Sequence, residues 1–225
     1  MQGLIADVAS IAHAMREVVG AMTHGHGADC VAYALAGAEV LRRMGHPAVA
    51  VAGSAVWRVG PGDADSLVHA LELFGKDPDV SGAEDQGMFH AWIEVGPYIV
   101  DFTTFAFADK AARLDEVDGQ TTSVQWCPEY LVVEAASSRR LQEVTQASNA
   151  GVYAYVRHSR VEQVVLTGND EFDVKGHADL IQLVARHGKN ATVATVDPSG
   201  ELVNGLESAR ARSKEQGLIT VYTPK

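Results

Sequence analysis

The sequence predicts an α+β fold, and three observations carry that reading. Leu4, Ile5, Val8, Ile11, Met15, Val18, Val19 and Met22 recur at helical spacing. The segment from Cys30 to Met44 carries a start signal at Asp29 and a stop signal at Gly45. Further on, two alternating runs, Phe89 to Val95 and Tyr98 to Thr104, flank Gly96-Pro97 in the manner of a tight antiparallel hairpin.

The elements follow in order. Residues 3–22 read as an amphipathic helix with Arg16 and Glu17 on its outer face, and Thr23 to Ala28 break it. The second helix has Asp29 as N-cap, Arg42 and Arg43 against the negative end of its dipole, and Gly45 as the C′ residue. The stretch "HPAVAVAGSAVWRV" is rich in small and β-branched residues and reads as a largely buried strand. Gly60 to Gly87 is acidic and weakly periodic; it reads as a long surface excursion with a short helix at "SLVHALELF", passing near the rim of a cleft as a lid. In the hairpin a type II′ turn takes glycine first and tolerates proline second, so Val95 pairs with Tyr98. That register sets Trp92 opposite Asp101 and His90 opposite Thr103, with His90 and Asp101 diagonal neighbours on one face. Beyond it, "SSRRLQEVTQASN" and "VKGHADLIQLVARHG" read as helices. "GVYAYV", "VEQVVL", "ATVATV" and "LITVYT" read as strands, "DPSG" as a turn, and "ELVNGLESARARSKEQG" as mostly helical.

Composition bounds the function. The chain has 225 residues, 47% of them hydrophobic, enough for one globular domain over 1–225, with a C-terminal subdomain from about 137 as the alternative. The net charge is −11, and Arg139-Arg140 and the Arg210 to Lys214 stretch are too small to form a basic patch against it, so nucleic acid is not an expected partner. No run reaches the roughly 18 apolar residues of a membrane span, and the N-terminus lacks the basic start of a signal peptide, so the expectation is a cytoplasmic chain without a membrane partner. Cys30 and Cys127 are far apart and form no CxxC pair, which suits free thiols in a reducing compartment.

The chemistry centres on "HGHGADC". Cys30 stands in the first turn of a helix, where free backbone N–H groups and the positive dipole end stabilise a thiolate and can donate to an oxyanion. A histidine to take the thiol proton and a carboxylate to orient it are supplied, in chain order, by His90 and Asp101. Three further readings belong beside this one. His24 and His26 with Cys30 have a spacing that a zinc ion could use with one more ligand such as His90, although the two histidines also suit the lining of a cleft, His26 as a substrate-binding residue. Trp92 reads as a core aromatic, with substrate binding as its alternative role, and Glu94 as a solvated carboxylate at a strand end. Cys127, before Pro128, reads as a packed thiol.

The series "GADC", "LRRMGHPAVAVAGSAVW", "HAWIEV" and "YIVDFTT" resembles the transglutaminase-like branch of the papain-like cysteine enzymes over about residues 25–104. The resemblance implies a papain-like fold with the nucleophile on a helix N-terminus packed against an antiparallel sheet. It also implies a catalytic set of Cys30 as nucleophile, His90 as general base and Asp101 as its orienting carboxylate. The expected activity is thiol-dependent acyl transfer, foremost hydrolysis of an amide or ester in a small molecule or peptide, with no cofactor and no metal. The alternative is a fold of this type serving as a binding or regulatory module without activity. Two departures stand out: there is no Gln-x-x-x-x-x-Cys-Gly-x-Cys-Trp segment, which leaves the side-chain oxyanion donor unassigned, and Phe102 follows Asp101 where many members carry proline.

Overall fold

The structure, a computed structural model, describes residues 1–22, 29–77, 88–167, 173–187, 191–196, 202–203 and 219–224. It is an α+β arrangement whose strand pairings are all antiparallel. Helix α1 (Gln2–Met22) leads to α2 (Cys30–Arg43), β1 (Ala48–Arg58) and β2 (Ser66–His69). The hairpin is β3 (His90–Val95) and β4 (Tyr98–Asp101), followed by α3 (Phe107–Asp118) and β5 (Leu131–Glu134). Then come α4 (Leu141–Thr145), β6 (Val152–Arg157), α5 (Ser159–Thr167) and α6 (Val174–His187). A separate small sheet of β7 (Ala191–Val196), β8 (Leu202–Val203) and β9 (Ile219–Pro224) has the order β8-β7-β9.

Strand β1 organises the main sheet. It pairs with β3 over Ala48 to Gly53, with β2 over Ala55 to Arg58, and with β6 over Gly53 to Arg58. Gly53 faces both His90 and Arg157, and Ala55 faces both His69 and Tyr155, so β2 and β3 lie end to end along the edge opposite β6. That junction brings His69 and His90 together. The hairpin then continues the sheet through β4 to β5.

Each face of the sheet has its own core. On one side α1, α2 and α6 cover Ala48, Ala52, Ala91, Ile93, Val95 and Val100, and the buried stripe of α1 includes Leu4, Val8, Ile11, Met15, Val18 and Val19. On the other, Phe107 and Ala111 of α3 pack with Trp57, Leu67, Trp92, Leu131 and Tyr155. Gly37 lets α2 approach closely, since a Cβ there would stand 2.7 Å from Ile93 Cδ1 and 3.0 Å from the Phe102 ring.

Several expected elements differ. The excursion from Gly60 is exposed only at residues 61–64 and 74–77 of its described part, and between them "SLVHALELF" is strand β2 followed by a 3-10 turn, Leu71–Phe74. Burial decides this: Leu67, Ala70 and Leu71 are all in the core, and Asp65 braces the turn before β2 by accepting from the Gly62 and Ser123 N–H groups. Residues 78–87, the rest of the expected lid, lie outside the described residues. "VEQVVL" forms helix α5 rather than a strand, because Val161, Val165 and Leu166 recur at helical spacing and turn one face into the α2 side of the core. The "SSRRLQEVTQASN" helix is confined to Leu141–Thr145. Of "ELVNGLESARARSKEQG", Leu202–Val203 is a strand and the remainder, like "DPSG", falls outside the described residues. Among the described residues no helix is long and apolar enough to cross a membrane.

Candidate active site

The spacing of α2 and β1 carries Cys30 to the hairpin. From Cys30 to Arg43 an α-helix rises about 20 Å, and from Ala48 to Gly53 a strand runs back about 17 Å. Met44 and Gly45 reverse the chain, with Gly45 at φ 92° as the sequence predicts for C′. The N-terminus of α2 thus returns to the level of Gly53, where β3 begins with His90. Asp29 occupies the N-cap position without a capping hydrogen bond from its side chain.

The hairpin register agrees with expectation. Val95 pairs with Tyr98 and Gly96 has φ 56°, the positive value that the first position of a type II′ turn requires. His90 and Asp101 are both buried, and His90 Nε2 lies 2.8 Å from Asp101 Oδ2. Asp101 Oδ1 accepts from Thr103 N (2.8 Å) and Thr103 Oγ1 (2.9 Å), and Oδ2 also accepts from the Tyr155 hydroxyl at 2.8 Å. A carboxylate surrounded by donors is ionised, so His90 Nε2 carries the proton and Nδ1 is the basic nitrogen. Nδ1 is buried, and the Cys30 thiol interacts with the imidazole.

The electrostatics run toward a thiolate–imidazolium pair. Burial raises the Cys30 pKa, yet the His90 hydrogen bond and charge, the Lys110 charge and the Ala91 backbone N–H together bring it below its ordinary value. Burial lowers His90, but Asp101 and Cys30 carry it above its ordinary value. Burial raises Asp101 as well, and His90, Lys110 and the Thr103 N–H overcome that, holding the carboxyl well below the usual carboxylate range.

Aromatic rings fix the imidazole. Trp57 meets His90 edge-on at 4.7 Å between centroids, Trp92 stacks at 6.2 Å, and Trp57 Nε1 donates to the Tyr155 hydroxyl at 2.8 Å. Trp92 is only 2% exposed and stands in the core. His69 Nδ1 lies 3.0 Å from the Phe89 carbonyl, and its ring centroid is 6.0 Å from that of His90. Glu94 pairs with Arg157 at 3.3 Å. Cys127 is exposed rather than packed, its Sγ held over the Thr104 and Phe105 carbonyls; the stretch ahead of Pro128 runs along the surface, where every second residue from Thr121 is exposed. His24 and His26 lie outside the described residues, and among the described residues no three His, Cys, Asp or Glu side chains gather as metal ligands. A groove of about 250 Å³ lined by Ser10, Ile11, Met44, Gln182, Ala185 and Arg186 contains none of the candidate residues.

Sequence reasoning missed Lys110, Thr103 as a ligand of Asp101, Tyr155, Trp57 and His69. Lys110 left a signal, because it stands on the same helical stripe as Phe107 and Ala111, where a lysine is out of place.

The description "Protein of unknown function (DUF2026)" matches residues 5–187, which span α1 to the end of α6 and include Cys30, His90 and Asp101. The chain belongs to the DUF2026 family. Among curated proteins none matches this member significantly. A solved structure described as "The crystal structure of genomics APC5867" is similar with a TM-score of 0.55 and 13% identity, over 88% of this chain and 89% of that chain. At that identity the similarity concerns the fold alone.

Proposed function

We propose that this DUF2026 chain is a cysteine hydrolase or acyltransferase of the papain-like, transglutaminase-like type, acting through a Cys30 thioester. The observation that carries the reading is the buried His90–Asp101 pair at 2.8 Å whose remaining ring nitrogen is left to the Cys30 thiol at a helix N-terminus. His90 Nδ1 takes the thiol proton as sulfur attacks the carbonyl of an amide or ester. The oxyanion meets N–H groups of the first turn of α2. The imidazolium then protonates the departing amine or alcohol, leaving a thioester, and water deprotonated by Nδ1 releases the acid and frees the thiol. An amine in place of water would make the same residues an acyltransferase. Asp101 stays ionised throughout and holds the tautomer.

Incubation with p-nitrophenyl acetate tests the reading. Wild type should release p-nitrophenol and show, by mass spectrometry after acid quench, one acetyl group on Cys30. Cys30→Ala should abolish both, and His90→Ala should slow acylation by about a hundredfold or more. Acetylation confined to Cys127, with turnover unchanged in Cys30→Ala, would overturn it.

A further inference from the structure

Lys110 is a buried cation to which the triad chemistry assigns no role. It is 6% exposed, its Nζ donates to Thr103 Oγ1 at 3.1 Å, and it lies 5.5 Å from the Trp57 ring centroid and 5.8 Å from that of Phe107. An ammonium group only donates, so the Thr103 oxygen must accept, and its single hydrogen is directed at Asp101 Oδ1, 2.9 Å away. The polarity of the whole chain is thereby set: Lys110 to Thr103, Thr103 to Asp101, and His90 Nε2–H to Asp101. A neutral amine in the same place could accept from Thr103 and turn that hydroxyl away from the carboxylate.

We propose that Lys110 is a positioning residue of the site, the buried counter-ion that acts through Thr103 to hold Asp101 ionised and aimed at His90, and so poises Cys30 as a nucleophile. The inference rests on the triad reading above. A carboxylate as deeply buried as Asp101, paired only with a neutral imidazole, would hold a permanent charge on the ring or take up a proton itself. A cation one hydroxyl away compensates it, leaving the charge on His90 free to follow the thiol proton. The groups that face this lysine are Asp101 on β4, Cys30 and Asp29 at the start of α2, Cys127 before β5, His69 on β2, and His90 on β3 through Asp101. Burial pulls the Lys110 pKa down, and the charges of Asp101, Cys30, Asp29 and Cys127 oppose that pull.

The test is the pH profile of Cys30 alkylation by iodoacetamide in a Cys127→Ser background, where Cys30 is the one thiol. In that background the parent protein should show an inflection below the free-thiol value of about 8.5. Lys110→Met, close in size and able to stay buried, should raise the inflection by about one unit with the fold retained by circular dichroism. Thr103→Val removes the hydroxyl link but keeps the cation, and should raise it by about half as much; it serves as the deciding variant if Lys110→Met does not fold. Profiles for Lys110→Met or Thr103→Val that superimpose on the parent, while His90→Ala shifts, would overturn the role of Lys110 and leave the triad standing. A parent inflection already at the free-thiol value would instead overturn the triad reading, and the lysine proposal with it.

Discussion

Asp101 is the residue on which the site turns, because four donors, from β3, β6 and the loop after β4, converge on two oxygens. Removing one donor has a consequence beyond the carboxylate. Tyr155→Phe deletes a bond to Asp101 and also leaves the Trp57 indole N–H, now bonded at 2.8 Å, buried without an acceptor. The variant should lose about 1–3 kcal/mol of stability, measured by urea unfolding, since an orphaned buried donor costs more than the net value of the bond it made. Unchanged stability would mean that the indole finds another partner. The same convergence predicts an order of effects on the thiol. His90→Ala should move the alkylation inflection of Cys30 up toward the free-thiol value, and Asp101→Asn should move it the same way but less, because the amide loosens the ring without deleting it. Superimposable curves for the parent protein and His90→Ala would show that the two residues are not coupled.

At the scale of elements, the two pieces that build the site were the most legible in the sequence, and for the same reason. Helix α2 announces its ends through Asp29, Arg42-Arg43 and Gly45, and the hairpin announces its turn through Gly96-Pro97, so both are specified by neighbours in the chain. What the sequence hid depends on distant partners. Strand β2 is four residues long and becomes a strand because β1 extends past the end of β3 and offers it an edge. Helix α5 has a strand-like composition, and its identity comes from burying Val161. In helix α3 the one local signal was a lysine on the buried stripe of Phe107 and Ala111, and its partner Thr103 lies outside the helix. The close seat of α2 makes its own prediction. In Gly37→Val a branched side chain would press into Ile93 Cδ1, 2.7 Å from the position of the first added carbon, and into Phe102. A loss of about 2–3 kcal/mol is expected, with slower alkylation of Cys30 as the helix lifts from β3. Full stability in that variant would show that the contact yields at little cost.

Across the whole molecule, the histidines pull stability in opposite directions as pH falls. His90 has a raised folded-state pKa, so its contribution is fully present below the unfolded value of about 6.5 and is lost as pH rises through the folded value. His69 behaves in the reverse sense. The residue as a whole is half-buried, and burial first, and then the charges of Lys110 and His90, push its pKa down to about 3. Below pH 6.5 the unfolded chain binds a proton at this position that the folded chain refuses, so stability falls with pH until the folded value is reached. Between pH 7 and pH 5 the full linkage amounts to about 2 kcal/mol, and solvent near the ring reduces the expectation to about 1–2 kcal/mol. His69→Asn isolates this effect, because its side-chain amide can keep the donor to the Phe89 carbonyl, now at 3.0 Å, without titrating. Urea unfolding at the two pH values should show a loss of stability smaller in His69→Asn than in wild type by that amount. Equal losses in the two proteins would mean that His69 accepts its proton in the folded state as readily as in the unfolded one, and that the junction of β2 and β3 is open enough to hydrate a second imidazolium beside His90.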